Sequence, residues 1–295
     1  MAASKDLAAP RRLWIRLVVS PLTLLVVVGL LWIHEKTGRA LTTDLLLALA
    51  ALGGAVELLR MFREGGVHVR PAPAAVAAAA TAALAGVGLL APDAAGLRME
   101  LRALLPGLAL LVIVMLQLRD LRREAANEIA AAMLPLLYVG LPLSLARDLA
   151  PPAQLARWLV YVVVVAKASD IGGWLVGKPF GRHKLVPTIS PKKSWEGLAG
   201  GLALSVLAAL FLPALLGIPA ADWSPLRRTG YGVALGLASV VAGFTQSGWK
   251  RRFGVKDSST LIPEIGGVLD MVDSLLLAVP VAWLWFRLDP SAFGL

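Results

Sequence analysis

The sequence predicts an all-α polytopic membrane protein of about nine transmembrane helices, and three observations carry that prediction. Of its 295 residues 58% are hydrophobic, with a mean hydropathy of +0.74, whereas roughly half of a soluble domain is apolar. Apolar runs of about 18 residues or more recur along the chain, each able to cross about 30 Å of hydrocarbon as a helix. The ten-residue alternation of outer-membrane strands is missing, so helices remain the way to satisfy a backbone in lipid.

Nine apolar segments can be marked, at residues 13–33, 42–60, 72–91, 103–118, 128–146, 157–177, 197–218, 229–247 and 264–286. The first follows "MAASKDLAAPRRLW" without a small-residue cleavage site, which predicts a retained span rather than a removed signal peptide. The next four are rich in Ala and Leu, and "APAAVAAAATAALAG" suits close helix packing. Residues 1–150 therefore read as a scaffold of about five spans, with nothing in them that points to chemistry. From residue 151 to 295 polar residues enter the spans and two loops, 178–196 and 248–263, become long and specific. This is the expected catalytic region. Lys and Arg are about twice as frequent in alternate loops, which places the N-terminus in the cytoplasm and the C-terminus outside. No internal repeat of the transporter kind is visible.

The formal charge of +10 is explained by basic cytoplasmic loops facing anionic headgroups. No basic and aromatic module accompanies it, so a nucleic-acid partner is not expected. The chain has no cysteine, which excludes disulfides, thiolate catalysis and iron–sulfur ligation.

Two stretches carry chemistry. In "AKASDIGGWLVGKPFGRHKLVPTISPKKSWEGLAGG", residues 166–201, Lys167 and Asp170 share one helix face inside a span, where ionisable groups are costly unless paired or functional. They could bolt helices together or line a site. Gly172, Gly173, Gly177 and Gly181 permit close backbone approach. Lys192 and Lys193 precede an expected helix start, with Ser194 as its cap and Gly197 three residues on. Cations beside a helix N-terminus suit phosphate. His183 has no partner at metal-ligand spacing and reads as a loop residue.

In "SGWKRRFGVKDSSTLIPEIGGVLDMVDS", residues 247–274, Lys250, Arg251, Arg252 and Lys256 lead to Asp257, and then to Asp270 and Asp273, one helical turn apart. Carboxylates of this kind suit a hard cation such as Mg²⁺, which takes one or two protein carboxylates and completes its shell with water and phosphate oxygens. The same two aspartates could simply favour a helix N-terminus.

These residues resemble the phosphatidate cytidylyltransferases, or CDP-diacylglycerol synthases. Their C-terminal signature is matched at Ser247, Lys250, Arg251, Lys256, Asp257, Pro263, Gly266, Gly267, Asp270 and Asp273 with all spacings intact. A second landmark, an Asp-bearing span followed by a G-x-x-x-G loop, is matched at Asp170, Gly177, Gly181 and "ISPKKSWEG". The clear resemblance covers about residues 160–285. Ile265 stands where the family usually has His, Met271 where it has Arg, Gly243 at an acidic position and Gln246 where Glu is common.

The resemblance implies transfer of a cytidylyl group from CTP to phosphatidic acid, giving CDP-diacylglycerol and pyrophosphate, in the cytoplasmic (inner) membrane. It implies Mg²⁺, with a second cation as an option, held by Asp270, Asp273, Asp257 and Asp170. Catalysis would fall to Asp257, Asp270, Asp273 and Lys256. The phosphates would fall to Lys192, Lys193, Lys250, Arg251, Ser247, Gly266 and Gly267, and a homodimer is the expected assembly. Two readings compete: a homologue with changed lipid or nucleotide substrate, or none, and a membrane transporter.

Overall fold

The computed structural model describes residues 29, 33, 41–67, 69–90, 94–118, 125–255, 257–259 and 266–288. The segment expected at 13–33 lies almost wholly outside these residues, as do Lys256 and Ile265. The other eight expected segments each fall on described helices.

Helix α1 is Leu41–Glu64. Pro71, whose missing N–H costs nothing in a first turn, opens α2, Pro71–Ala85, which is followed by the single turn α3, Val87–Leu90. Helix α4 is Ala95–Leu118. The next rod begins as α5, Ala125–Pro135, widens to a π turn at Leu136–Gly140, and continues as α6, Leu141–Leu145. The widening falls where Gly140 meets the backbone of Thr81 in α2, a side chain there being 3.0 Å from its carbonyl oxygen. Helix α7, Pro152–Phe180, and helix α8, Trp195–Leu216, flank a small ribbon. Helix α9 is Pro225–Arg252, and the last rod is broken into α10, Val268–Val272, and α11, Leu275–Leu288.

Six stretches among the described residues are long and apolar enough to cross a membrane, rather than nine. Helix α2 falls short with its 15 residues, since a crossing takes about 20. Helix α9 is long enough but carries Arg227, Arg228, Gln246 and Lys250 along its length. The chain is an all-α polytopic membrane protein with one exception. Strands β1, Lys184–Val186, and β2, Ser190–Ser194, pair antiparallel between α7 and α8, with Lys184 opposite Ser194. The sequence hides this ribbon because it is three to five residues long and half polar.

One apolar cluster runs from Leu47 and Leu58 of α1 to Phe286 of α11. At its far end the rings of Trp158, Tyr161, Tyr231 and Phe286 pack together, Tyr161 stacking on Tyr231 at 5.2 Å. Toward the basic loops, Tyr138 packs on Trp249 at 4.4 Å and Phe62 on Phe253 at 5.1 Å, which joins α1 and the π turn to α9. Within the bilayer such contacts hold the helices through close van der Waals packing rather than through removal of apolar surface from water.

Helices α7 and α8 pack backbone to backbone. A side chain at Gly172 or Gly200 would strike the other helix, as would one at Gly201, which faces the Ser169 carbonyl. Gly177, the last residue of the expected span and the first of the G-x-x-x-G pattern, lies inside α7, where a side chain would begin 3.3 Å from the Gly197 Cα. This seam carries α7 three residues beyond the expected span, to Phe180.

Candidate active site

Ser194 caps α8: its hydroxyl accepts from the Gly197 amide at 3.1 Å, as the sequence predicted. The cap fixes the end of β2, and with it the two lysines just before. Lys192 is exposed, while Lys193 turns inward and lies with its ammonium 4.6 Å from the centre of the Phe244 ring on α9. Burial lowers the basicity of Lys193, and the charges of Asp170 and Asp273 partly restore it. Its Nζ is 2.8 Å from where a side chain on Gly243 would begin. The glycine leaves the room that the ammonium takes.

Between α7, β2, the start of α8 and α9 lies a cavity of about 180 Å³. Asp170, Lys192 and Lys193 line it together with Trp174, Leu198 and Val240. Charged and apolar side chains line it side by side, Asp170 and Trp174 being one turn apart on α7.

Lys167 does not pair simply with Asp170 along its own helix. Its Nζ donates to Asp273 Oδ1 at 3.1 Å, across to the break between α10 and α11. Asp170 lies in the electrostatic reach of Lys167, Lys193 and Asp273. Two carboxylates and two ammonium groups thus meet where α7, β2 and α10 converge.

Asp270 is held differently. Lys250 Nζ donates to its Oδ1 at 2.8 Å, while the Ser258 amide and hydroxyl (both 2.8 Å) and the Gly267 amide (3.1 Å) point at Oδ2. Gly266 has φ of +109°, and a side chain there would begin 2.6 Å from Asp270 Oδ2. Both conditions call for glycine. Asp257 is exposed in the turn before Ser258, and Arg251 is exposed at the end of α9. Ser247 lies half-buried one turn before Arg251. The structure therefore brings together Asp170, Asp273, Lys167 and Lys193, and separately Asp270 and Lys250. It does not bring Asp257 into a three-carboxylate centre with the others: no group of three or more His, Asp or Glu among the described residues could hold a metal ion.

The donor chemistry fits a hard cation at the pair Asp170 and Asp273, which is the number of carboxylates that Mg²⁺ takes. Asp270 fits less well, because Lys250 and the Ser258 and Gly267 amides would first have to be displaced.

One residue of the site is missing from the sequence reading. Glu57, in the middle of α1 and 6% exposed, accepts from the Ser258 and Ser259 hydroxyls at 2.8 and 2.7 Å and from the Val268 and Leu269 amides at 2.9 and 2.8 Å. The available signal was a carboxylate inside an apolar helix, the argument applied to Asp170. Gln246 is also placed: buried, it donates to the Leu269 carbonyl at 2.9 Å.

Fold and site together define a polytopic helical membrane protein with a cluster of carboxylates and lysines at the basic-loop end of its helices. The model of the "Cytidylyltransferase family" matches residues 14–289, and the chain belongs to that family. It is similar to proteins named phosphatidate cytidylyltransferase. The one from Mycobacterium bovis is 34% identical over 164 residues, 56% of this chain and 52% of the relative. Those from Haemophilus influenzae and Pseudomonas aeruginosa are each 45% identical, over 123 residues (41% of this chain, 43% of the relative) and 130 residues (43% and 47%). The chain spans about half the length of these curated relatives.

Proposed function

We propose that the protein transfers the cytidylyl group of CTP to phosphatidic acid, giving CDP-diacylglycerol and pyrophosphate, in the cytoplasmic membrane with the site on the cytoplasmic side. The observation that carries this reading is the cavity beside the carboxylates, lined both by the charged Lys192, Lys193 and Asp170 and by the apolar Trp174, Leu198 and Val240. A charged headgroup attached to acyl chains needs both kinds of lining, whereas a soluble phosphate needs only the charged kind.

In this reading a lipid phosphate oxygen attacks the α-phosphorus of CTP, a new P–O bond forms, and the bond to the β-phosphate oxygen breaks. No general base is required, because phosphatidate is ionised at neutral pH. Catalysis is then mostly positioning and charge stabilisation. Lys193 and Lys192 hold the lipid phosphate against its repulsion from the triphosphate. Lys250, set by Asp270, and Arg251 face the triphosphate, joined by Lys256 from outside the described residues. Asp170 and Asp273 would hold Mg²⁺, which supplies charge neutralisation for the triphosphate and the leaving pyrophosphate. Lys167 keeps Asp273 oriented.

The test is purified protein in phosphatidate-containing mixed micelles with labelled CTP and Mg²⁺. A labelled CDP-lipid with stoichiometric pyrophosphate is expected. CTP hydrolysis without a lipid product, or no turnover with phosphatidate in a folded preparation, refutes the assignment.

A further inference from the structure

We infer that Glu57 is a positioning residue of this site, acting from α1 through Ser258 on Asp270, an inference that rests on the transfer reading above. Helix α10 has five residues and is too short to hold itself. Its first amides need acceptors from elsewhere. Glu57 receives Val268 and Leu269, and each of its oxygens also takes one serine hydroxyl. A carboxylate more than 200 positions away in sequence thus fixes both the loop before α10 and its first turn.

The link to chemistry is Ser258. Its hydroxyl lies 2.8 Å from Glu57 Oε2 and 2.8 Å from Asp270 Oδ2, while its amide also points at Asp270. A hydroxyl has one hydrogen, so its orientation depends on both carboxylates at once. Ser258 gives Asp270 its amide and shares its single hydroxyl hydrogen between Asp270 and Glu57, and Asp270 in turn holds Lys250. Gly267 confirms how closely these groups are fitted: a side chain there would strike both the Glu57 carboxylate and the Ser258 hydroxyl. If Glu57 only filled space, an apolar residue would do so at less cost in an apolar helix. Glutamine keeps the volume but turns an amide NH₂ toward two donors, so Glu57→Gln must break contacts on one side.

The experiment uses the full chain in nanodiscs with Glu57→Gln, Ser258→Ala and the double variant. Two quantities are read: amide exchange over residues 257–272, and the kinetics of CTP turnover with phosphatidate. Expected for Glu57→Gln are exchange at Val268 and Leu269 faster by about tenfold or more, and kcat lower by about tenfold with a smaller change in the KM for CTP. Ser258→Ala, which leaves three of the Glu57 contacts in place, should reproduce the loss in kcat. The double variant should be no worse than Glu57→Gln. The inference is overturned if Glu57→Gln keeps kcat within about twofold, or if the two losses multiply. Should wild-type protein make no CDP-lipid, the transfer reading fails, and exchange still decides this one. Faster exchange from Ser258 to Asp270 in both single variants upholds it, and unchanged exchange sinks it.

Discussion

Lys167 Nζ stands 3.1 Å from Asp273 Oδ1, linking the middle of α7 to the break in the last rod across 106 positions of sequence. Lys167→Met strands Asp273 without its cation. The side chains are 34% and 22% exposed, so the stability loss should be small, about 1 kcal/mol. Turnover should fall much further, by about 10- to 100-fold. Adding Asp273→Asn should recover thermal stability in detergent and leave turnover lost; recovery of both would show that the pair is a clamp only.

The three C-terminal aspartates should differ. Asp270→Asn and Asp273→Asn are expected to lower CDP-lipid formation by about 100-fold or more, since each is tied to a lysine of the site. Asp257→Asn, at an exposed position, should cost only about threefold, within the range of a surface change. Equal losses at all three would place Asp257 inside the reacting centre.

Gly243→Ala puts a methyl group 2.8 Å from Lys193 Nζ and should push the ammonium out of its place. The KM for phosphatidate should rise by about tenfold with a smaller change in kcat. Gly248→Ala is the control, because its nearest neighbour, Ile189, is 3.8 Å away. A rise in both variants would indicate a general disturbance of α9.

Gly172→Val drives a branched side chain into the facing Gly200 carbonyl, and Gly200→Val drives one into the Val176 side chain. Overpacking of this kind costs about 1–3 kcal/mol where side chains can yield, and backbone yields less. Detergent-solubilised protein should melt at clearly lower temperature. An unchanged melt would mean that the two helices separate at little cost.

Much of the fold was legible because membrane insertion imposes long apolar runs, and eight expected segments fall on described helices. The Ser194 cap was legible too, since capping needs only local sequence. What stayed hidden was pairing at long range. Lys167 looked like the partner of Asp170 because three positions on a helix are neighbours, yet helix packing brings Asp273 to it. Glu57 is hidden because the motif lies in the second half of the chain, while the short α10 takes its acceptors from the first. The G-x-x-x-G pattern suggested a loop, and the structure uses Gly177 as a helix contact.

The glycine seam between α7 and α8 has a consequence for how this protein could diversify. Precision at Asp170 and Lys193 derives from two main chains in contact, so it does not depend on the outward faces of the same helices. Ile171 and Leu175 on one, and Leu207, Phe211 and Leu215 on the other, are exposed. Those faces can be rewritten to suit a thicker, thinner or differently charged bilayer, while one lengthwise strip of each helix stays fixed. Adaptation to a new membrane and retention of the chemistry are thereby assigned to opposite sides of the same two rods.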